Sequence, residues 1–265
     1  MAILEVEKLG FAYREAADVL DGVGFSLEEG SFCGLLGPNG SGKTTLIEIV
    51  SGALRPQRGR VRFQGRSVEA WDPRELARAV AVVPQRFELA FPFTVQELIT
   101  LGRLPHQAGL CLDGPEDRAA VRWAMEVTDT ARFAGRRAHE LSGGEIKRVM
   151  VAKALAQKPR LLLLDEPGAH LDIRHQVELY SLVQRVREQD GLTVLAAVHE
   201  LNLAAAHCDR FVLLAEGTLL AQGRLEDVMT WALLKKAYGI DIYVGVNDLT
   251  GQRLFTPMIS GEGST

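Results

Sequence analysis

The chain has 265 residues, of which 47% are hydrophobic and 24% are charged, as in ordinary soluble globular proteins. This composition excludes disordered, collagen-like and coiled-coil proteins. The net charge of −4 argues against a general nucleic-acid binder, because such binding depends on basic residues that neutralise phosphates. The three cysteines, Cys33, Cys111 and Cys208, are widely spaced, so we expect neither a disulfide framework nor a zinc site.

The first part of the chain has the pattern of a small antiparallel sheet. Residues 2–9, 23–27 and 60–63 alternate in hydrophobicity or are flanked by turn pairs. The turn pairs are Asp21-Gly22 and Gln64-Gly65, whose residue types favour tight turns between strands.

Short continuous apolar runs come next, separated by segments with helical periodicity. Such runs predict strands that are buried on both faces, as in a parallel sheet covered by helices. The predicted strands are residues 32–36, 80–83, 160–164, 193–198 and 211–215. The pattern turns helical between about 90 and 157, which predicts a helical insertion, with the best helices at 94–101, 115–128 and 142–157.

The last part of the chain loses this periodicity. Residues 239–265 therefore predict a short β-rich appendage, and 261–265 predict a loose tip. Together these patterns indicate an α/β fold with a mostly parallel sheet, in a single domain that covers residues 1–265.

The strongest chemical motif is a glycine-rich loop that matches the pattern GxxxxGK[ST] between a predicted strand and a predicted helix. Its glycines let backbone N–H groups close around phosphate oxygens, and the following helix adds the positive end of its dipole. Lys43 would neutralise β- and γ-phosphate charge, and Thr44 can bind Mg²⁺. A glycine turn entering a helix is the alternative, but a chance match is expected in about one such chain in a hundred. The loop comprises Gly37, Pro38, Asn39, Gly40, Ser41, Gly42, Lys43 and Thr44, with Thr45 beside it.

Two carboxylates, Asp165 and Glu166, follow the apolar run 161–164. Open α/β sheets bind ligands at the carboxyl ends of their strands, which is where this pair would lie. We expect Asp165 to bind Mg²⁺, directly or through water, and Glu166 to orient and partly deprotonate a water that attacks the γ-phosphate. The alternative is a solvated acidic turn. The phosphate-binding loop upstream favours the nucleotide site over this alternative.

A third motif begins the predicted helix 142–157. Ser142 and Glu145 have the S-x-x-E spacing of a capping box. Gly143 and Gly144 leave the N–H groups of the first turn open, so the same helix end could also hold an anion such as a γ-phosphate.

The order of these motifs resembles the nucleotide-binding subunit of an ATP-binding cassette (ABC) transporter, and the resemblance covers nearly the whole chain. It is carried by the phosphate-binding loop (P-loop), Gln85, the segment 141–145, Asp165-Glu166 and His199. The resemblance implies a P-loop NTPase core with an N-terminal antiparallel subsheet and a helical insertion. It also implies that ATP and Mg²⁺ bind and that the protein is an ATPase.

The resemblance assigns further roles to single residues. Tyr13 would stack on adenine, with Phe11 as its competitor, and Asp172 would contribute to nucleotide binding. Gln85 would sense Mg²⁺ and the attacking water, and His199 would contact the γ-phosphate. The implied catalytic residues are Glu166, His199 and Gln85, and the implied metal-binding residues are Thr44, Gln85 and Asp165.

The chain departs from the family pattern at two places. Ala169 stands where a serine is common, which puts a hydroxyl contact across a dimer in doubt. Ile146 and Lys147 replace a frequent Arg-Gln pair. We expect neither difference to touch the core chemistry.

The resemblance also implies partners. Each motif occurs once, and in the family the Leu-Ser-Gly-Gly segment closes over ATP held by the other subunit, so a second copy of the chain is implied. Residues 94–98, 101–106 and 237–244 look like those of importer ATPases for iron-siderophores, haem and cobalamin. Such importers add membrane permease subunits, whose coupling helix would dock near 85–104, and an extracytoplasmic substrate-binding protein.

We therefore expect the ATP-hydrolysing subunit of such an importer, with no nucleic-acid partner. The acidic N-terminus and the lack of an apolar run near the roughly 18 residues of a membrane span predict that the protein does not cross a membrane by itself. The resemblance implies a peripheral position on the cytoplasmic face of the inner membrane. The alternative is a soluble ABC ATPase that acts as an assembly factor, for instance in iron–sulfur assembly. Phe91 and Phe93 are either core residues or the edge of an exposed groove that binds the permease.

Overall fold

The computed structural model describes residues 2–13, 17–87, 91–107 and 114–258. Its strands are β1 (Ala2–Phe11), β2 (Leu20–Glu28), β3 (Phe32–Leu36), β4 (Arg58–Phe63), β5 (Arg66–Ser67), β6 (Val80–Val83), β7 (Leu161–Asp165), β8 (Thr193–Ala197), β9 (Arg210–Ala215), β10 (Thr218–Gly223), β11 (Ile242–Val246) and β12 (Arg253–Pro257). Its α-helices are α1 (Lys43–Val50), α2 (Pro73–Ala79), α3 (Val95–Thr100), α4 (Pro115–Val127), α5 (Gly143–Ala156), α6 (Ile173–Asp190), α7 (Leu201–His207), α8 (Leu225–Val228) and α9 (Trp231–Tyr238). Short 3₁₀ turns lie at Val68–Ala70, Leu101–His106, Ala131–Phe133 and Ala138–Glu140.

The central sheet has the strand order β10-β9-β3-β8-β7-β6. The strands from β9 to β6 run parallel, and β10 pairs antiparallel with β9 at one edge. All residues of β3, β7 and β8 are buried, as expected for strands that helices cover on both faces. The five strands predicted from apolar runs are thus present, with bounds that differ by no more than one residue.

A second sheet, in the order β2-β1-β4-β5, is antiparallel and contains the predicted N-terminal segments. Gln64-Gly65 forms the turn between β4 and β5, as predicted. The prediction for Asp21-Gly22 is wrong, because both residues lie inside β2. Gly22 has a φ of +65°, and the register with β1 shifts beside it, so this pair forms a bulge rather than a turn.

The predicted helical insertion contains α3, α4 and α5, which pack against one another. Thr94 caps α3 with a full capping box, so the helix begins where the sequence indicates. The apolar sides of these helices join the core that covers one face of the central sheet. The antiparallel sheet and α1 cover the other face. The division into one domain with a helical subdomain at about 90–157 stays a prediction.

The region 239–265, predicted as a β-rich appendage, contains a hairpin of β11 and β12, and α9 directly precedes it. The helix α9 and this hairpin together are called the C-terminal appendage. Ile242 and Phe255 of the hairpin are buried in the main core beside Leu234 and Ala237 of α9. The predicted loose tip at 261–265 and Cys111 lie outside the described residues. Within the described ranges, no helix combines the length and apolarity that crossing a bilayer would require.

Candidate nucleotide site

The predicted site residues lie at one edge of the central sheet, at the carboxyl ends of its parallel strands. The P-loop follows β3, Glu166 follows β7, His199 lies two residues after β8, and Gln85 lies two residues after β6. These carboxyl ends surround a cavity of about 530 Å³. Its lining residues are Val19, Asn39, Gly40, Gly42, Lys43, Thr44, Thr45, Gln85, Glu166, Ala169, His170 and His199.

The P-loop is shaped by glycines that no other residue could replace without strain. Gly37, Gly40 and Gly42 have φ values of +147°, +79° and +96°. A Cβ atom at Gly42 would lie 2.5 Å from a methyl carbon of Leu20, and one at Gly37 would lie 2.3 Å from the carbonyl oxygen of Leu214. The loop can therefore approach a ligand with its backbone exposed.

Lys43 is only 4% exposed, at the base of the loop. Its Nζ donates hydrogen bonds to the carbonyl oxygens of Gly37, at 2.8 Å, and Pro38, at 3.0 Å. Burial lowers the pKa of Lys43, and the nearby Glu166 and Asp165 carboxylates oppose that shift. The ammonium group is thus poorly solvated, which favours an anionic ligand beside it.

The hydroxyl of Ser41 is also suited to a phosphate. Ser41 is buried in the P-loop, and its Oγ has no hydrogen-bond partner among the described residues. A buried hydroxyl without a partner is energetically unfavourable, and a phosphate oxygen would satisfy it. The glycine cradle, the buried lysine and this free hydroxyl together fit a nucleotide phosphate chain.

The predicted metal-binding residues Thr44 and Asp165 meet at the same edge. Thr44 Oγ1 donates a hydrogen bond of 3.1 Å to Asp165 Oδ1. Burial raises the pKa of Asp165, although the Thr44 hydrogen bond acts in the opposite direction. A hydroxyl and a buried carboxylate are hard oxygen ligands, so this pair fits Mg²⁺.

Glu166 lies between the two other residues predicted to be catalytic. Gln85 Nε2 donates to Glu166 Oε2, and His199 Nε2 contacts Glu166 Oε1. Glu166 itself has a φ of +46°, a conformation that side-chain-bearing residues rarely adopt and that is concentrated at functional sites. Both oxygens of this carboxylate therefore have a side-chain partner, and the metal-binding role of Gln85 stays a prediction.

Tyr13 and Phe11 differ in what they could offer to an adenine ring. Phe11 is buried, and Tyr13 is half exposed with its ring edge-on to Phe11 at 5.0 Å between centroids. The Tyr13 hydroxyl lies 3.2 Å from Thr45 Oγ1 and donates to Glu48 Oε2 at 3.1 Å. Only Tyr13 presents a ring to solvent beside the P-loop helix, although the stacking role stays a prediction.

The Leu-Ser-Gly-Gly segment forms the N-terminus of α5. Ser142 Oγ accepts the Glu145 N–H, and the Glu145 side chain accepts the Ser142 N–H, which completes the expected capping box. None of the residues 142–145 is among the described residues that line the nucleotide cavity. The P-loop and this helix end therefore belong to different parts of the chain's surface.

Asp172 and His175 lie at the start of α6, and the His175 ring lies beside the N-terminus of α5. Asp172 caps α6 by accepting the His175 N–H, and the His175 ring lies 2.8 Å from the other Asp172 oxygen. These hydrogen bonds lower the pKa of Asp172. A Cβ atom at Gly144 would lie 2.5 Å from the ring of His175. His175 was not predicted from the sequence, and its position one turn after Asp172 was the only available signal.

This contact predicts that Gly144→Ala will destabilise the protein, whereas Gly143→Ala will not. A methyl group at Gly144 must displace the His175 ring, which we expect to lower the free energy of unfolding by about 1–3 kcal/mol. A methyl group at Gly143 would meet only Leu171, at 4.0 Å. Urea unfolding would measure both changes, and His175→Ala should restore the stability of the Gly144 variant. Equal stabilities of the two alanine variants would contradict the prediction.

Lys147, one of the two residues that depart from the family pattern, contacts the loop that carries Gln85. Its Nζ donates to the carbonyl oxygen of Gln85 at 2.7 Å. The side chain is buried and lies over the ring of Phe87, 5.7 Å from its centroid. Lys147 thus joins α5 directly to the loop that carries Gln85.

Comparisons with known proteins identify the family. The family model described as ABC transporter matches residues 20–169, which is more than half of the chain. The hemin import ATP-binding protein HmuV of Streptomyces coelicolor is 44% identical over 90% of this chain and 84% of its own length. The iron(3+)-hydroxamate import ATP-binding protein FhuC of Bacillus subtilis is 37% identical over 95% of this chain and 93% of its own length. The cobalamin import ATP-binding protein BtuD of Halobacterium salinarum is 38% identical over 91% of this chain and 60% of its own length.

Solved structures of ABC transporters and their cassettes are also similar to this chain. A metal-chelate type ABC transporter in an inward-facing conformation has a TM-score of 0.86 and 25% identity, over 97% of this chain and 98% of the other. The dimeric bacterial ABC transporter cassette MJ0796 has a TM-score of 0.74 and 28% identity, over 84% and 98%. Some curated relatives are longer than this chain, which spans 60% of BtuD and 54% of the uncharacterized ABC transporter ATP-binding protein YvrA of Bacillus subtilis.

The chain therefore belongs to the ABC transporter family. This confirms the predicted fold class and the predicted enzyme class. The importer names of the relatives quoted above give no support to the alternative of an assembly factor.

Proposed function

We propose that two copies of this chain bind ATP between them and use its hydrolysis to import a metal chelate through a membrane permease. The cargo class would be an iron-siderophore, haem or cobalamin, delivered by an extracytoplasmic substrate-binding protein. The chain would then lie on the cytoplasmic face of the membrane, bound to the permease. The relatives named for hydroxamate-iron, hemin and cobalamin import support this cargo class.

The proposed dimer is supported by the separation of two surfaces suited to phosphate, the P-loop cavity and the helix end at residues 142–145. The P-loop cavity of one copy contains none of the residues 142–145 among its described lining. In a two-fold dimer, the glycine-rich helix end of each copy can close the cavity of the other, so that two complete sites form. The dimeric MJ0796 cassette supports this arrangement.

The chain's own residues suggest how the reaction proceeds. The P-loop N–H groups and Lys43 would hold the phosphates, and Mg²⁺ bound by Thr44 and Asp165 would supply positive charge to them. Glu166 would accept a proton from the attacking water, which needs a carboxylate fixed in one orientation. Gln85 and His199 contact its two oxygens and would keep it there.

A groove on the helical insertion is suited to the permease. It has a volume of about 620 Å³ and lies between α3 and residues 134–135. Phe91 is 65% exposed at this side, with its ring edge-on to the partly buried Phe93. An exposed aromatic residue next to a groove is typical of a protein-binding surface. The described lining is Phe93, Thr94, Gln96, Glu97, Thr100, Leu101, Ala134 and Gly135.

Filling this groove should prevent permease binding without affecting ATP binding. A Cβ atom at Gly135 would meet nothing within 4 Å, so Gly135→Arg can place a bulky charged side chain there without an internal clash. We expect at least a tenfold weaker interaction with the permease encoded by a neighbouring gene, measured by copurification and by stimulation of ATPase activity in nanodiscs.

The matched control is Leu249→Arg, which adds the same side chain at a residue that is 95% exposed and remote from the groove in sequence. It should bind the permease as the unmodified chain does. Wild-type permease binding by Gly135→Arg would contradict the proposed docking site. Failure of the unmodified chain to bind any such permease would contradict the proposed function itself.

A further inference from the structure

The C-terminal appendage contacts the start of the P-loop. Tyr238, the last residue of α9, accepts a hydrogen bond of 3.2 Å from the backbone N–H of Gly37. Burial raises the pKa of Tyr238 to about 12, so its hydroxyl remains protonated at neutral pH. Gly37 in turn accepts a hydrogen bond from Lys43 Nζ at 2.8 Å. Gly37 is therefore hydrogen-bonded both to Tyr238 and to Lys43, the buried lysine of the nucleotide site.

The same appendage contacts the other side of the site. Asn202, in the first turn of α7, lies three residues after His199. Its side-chain amide donates to the Phe255 carbonyl oxygen at 3.1 Å, and its amide oxygen accepts the Phe255 N–H at 2.8 Å. This two-bond contact ties β12 to the helix that begins just after His199.

The two contacts belong to one packed unit. β11 begins four residues after Tyr238 and pairs with β12 along its full length, with Val244 opposite Phe255. Phe255 and Ile242 are buried in the core that also contains Leu234 of α9. A closely packed unit of this kind transmits displacement from one contact to the other.

We propose that the appendage is a brace for the nucleotide site, in which Tyr238 positions the P-loop and Asn202 positions the helix after His199. Neither residue touches the nucleotide in this proposal. Tyr238 keeps Gly37, and through it Lys43, in the conformation that receives phosphates. Asn202 keeps His199 in contact with Glu166. The proposal rests on the ATP site described above and not on the identity of the imported cargo.

The proposal separates the effects of two substitutions. Tyr238→Phe keeps the ring and removes only the hydroxyl, which leaves the Gly37 N–H without its partner. Since one hydrogen bond contributes about 1 kcal/mol, we expect the Kd for ATP to rise about fivefold and kcat to change little. Asn202→Ala frees the helix after His199, so we expect kcat to fall about fivefold with little change in the Kd for ATP.

Isothermal titration calorimetry with MgATP and steady-state ATPase assays on the full chain would measure these changes. Tyr243→Phe is the matched control, because Tyr243 lies on the exposed face of the same hairpin. It should leave both quantities unchanged. Thermal unfolding of each variant without nucleotide would show whether it folds.

Two outcomes would overturn the proposal. The first is a Tyr238→Phe variant whose Kd for ATP stays within twofold of the value for the unmodified chain. If that variant also unfolds at a lower temperature, Tyr238 has a purely structural role. The other is an Asn202→Ala variant with unchanged kcat. If the unmodified, folded chain binds no ATP at all, the nucleotide site itself is wrong, so the two failures are distinguishable.

Discussion

Glu166→Gln is expected to convert the chain into a stable dimer in the presence of MgATP. The amide has nearly the size of the carboxylate but cannot accept a proton from the attacking water, so hydrolysis should fall by about 10²–10⁴-fold. ATP should still bind, because the P-loop and Lys43 are unchanged. With hydrolysis blocked, ATP would remain between two copies and hold them together.

Analytical ultracentrifugation would measure this dimer directly. The dimer should disperse when the nucleotide is removed, which distinguishes it from nonspecific association. The double variant Lys43→Ala/Glu166→Gln is the control and should stay monomeric at every ATP concentration. A Glu166→Gln chain that is monomeric throughout would show that one copy does not require the other, and the proposed composite site would then be wrong.

Lys43→Ala is expected to abolish measurable ATP binding. The ammonium group is buried at the base of the P-loop, where a charged hydrogen bond contributes more than it does in water. Losing two or more charge-assisted contacts to the phosphates should raise the Kd for ATP at least a hundredfold. Burial lowers the pKa of Lys43 because the charged ammonium is poorly solvated there, and phosphate oxygens would supply the missing partners.

Isothermal titration calorimetry would measure the loss of ATP binding, and urea unfolding would show that the variant is folded. Lys153→Ala is the matched control, since burial also lowers the pKa of Lys153 but this residue does not line the nucleotide cavity. ATP binding by the unmodified chain should weaken as the pH rises through the pKa of Lys43, which lies below the ordinary value for lysine. Retained ATP affinity in Lys43→Ala would contradict the phosphate-cradle interpretation.

The site residues could be predicted because chain order and strand direction restrict where they lie. An apolar run followed by a polar residue predicts the carboxyl end of a parallel strand, and such ends share one sheet edge. This rule alone predicts that the P-loop, Asp165-Glu166 and His199 lie together at that edge. The S-x-x-E spacing likewise predicted the capping box of Ser142 and Glu145, because capping depends only on residues within one turn.

Other features depend on residues that are distant in the sequence. The pair Asp21-Gly22 has the composition of a turn, but its pairing with β1 makes it a bulge inside β2. Lys147 Nζ lies 2.7 Å from the Gln85 carbonyl oxygen, although the two residues are 62 positions apart in the sequence. No local pattern contains that information.

By itself, the sequence determined the chemistry of this protein: a glycine loop with a lysine, two carboxylates after a buried strand, and a glycine-rich helix end. These are short-range patterns, because each depends on neighbouring residues and on the direction of one strand or helix. The tertiary structure decided how they are supported. It placed Glu166 between Gln85 and His199, set His175 against Gly144 and brought Tyr238 to the P-loop across 201 residues. Such contacts arise from packing between distant elements, which local propensity does not specify.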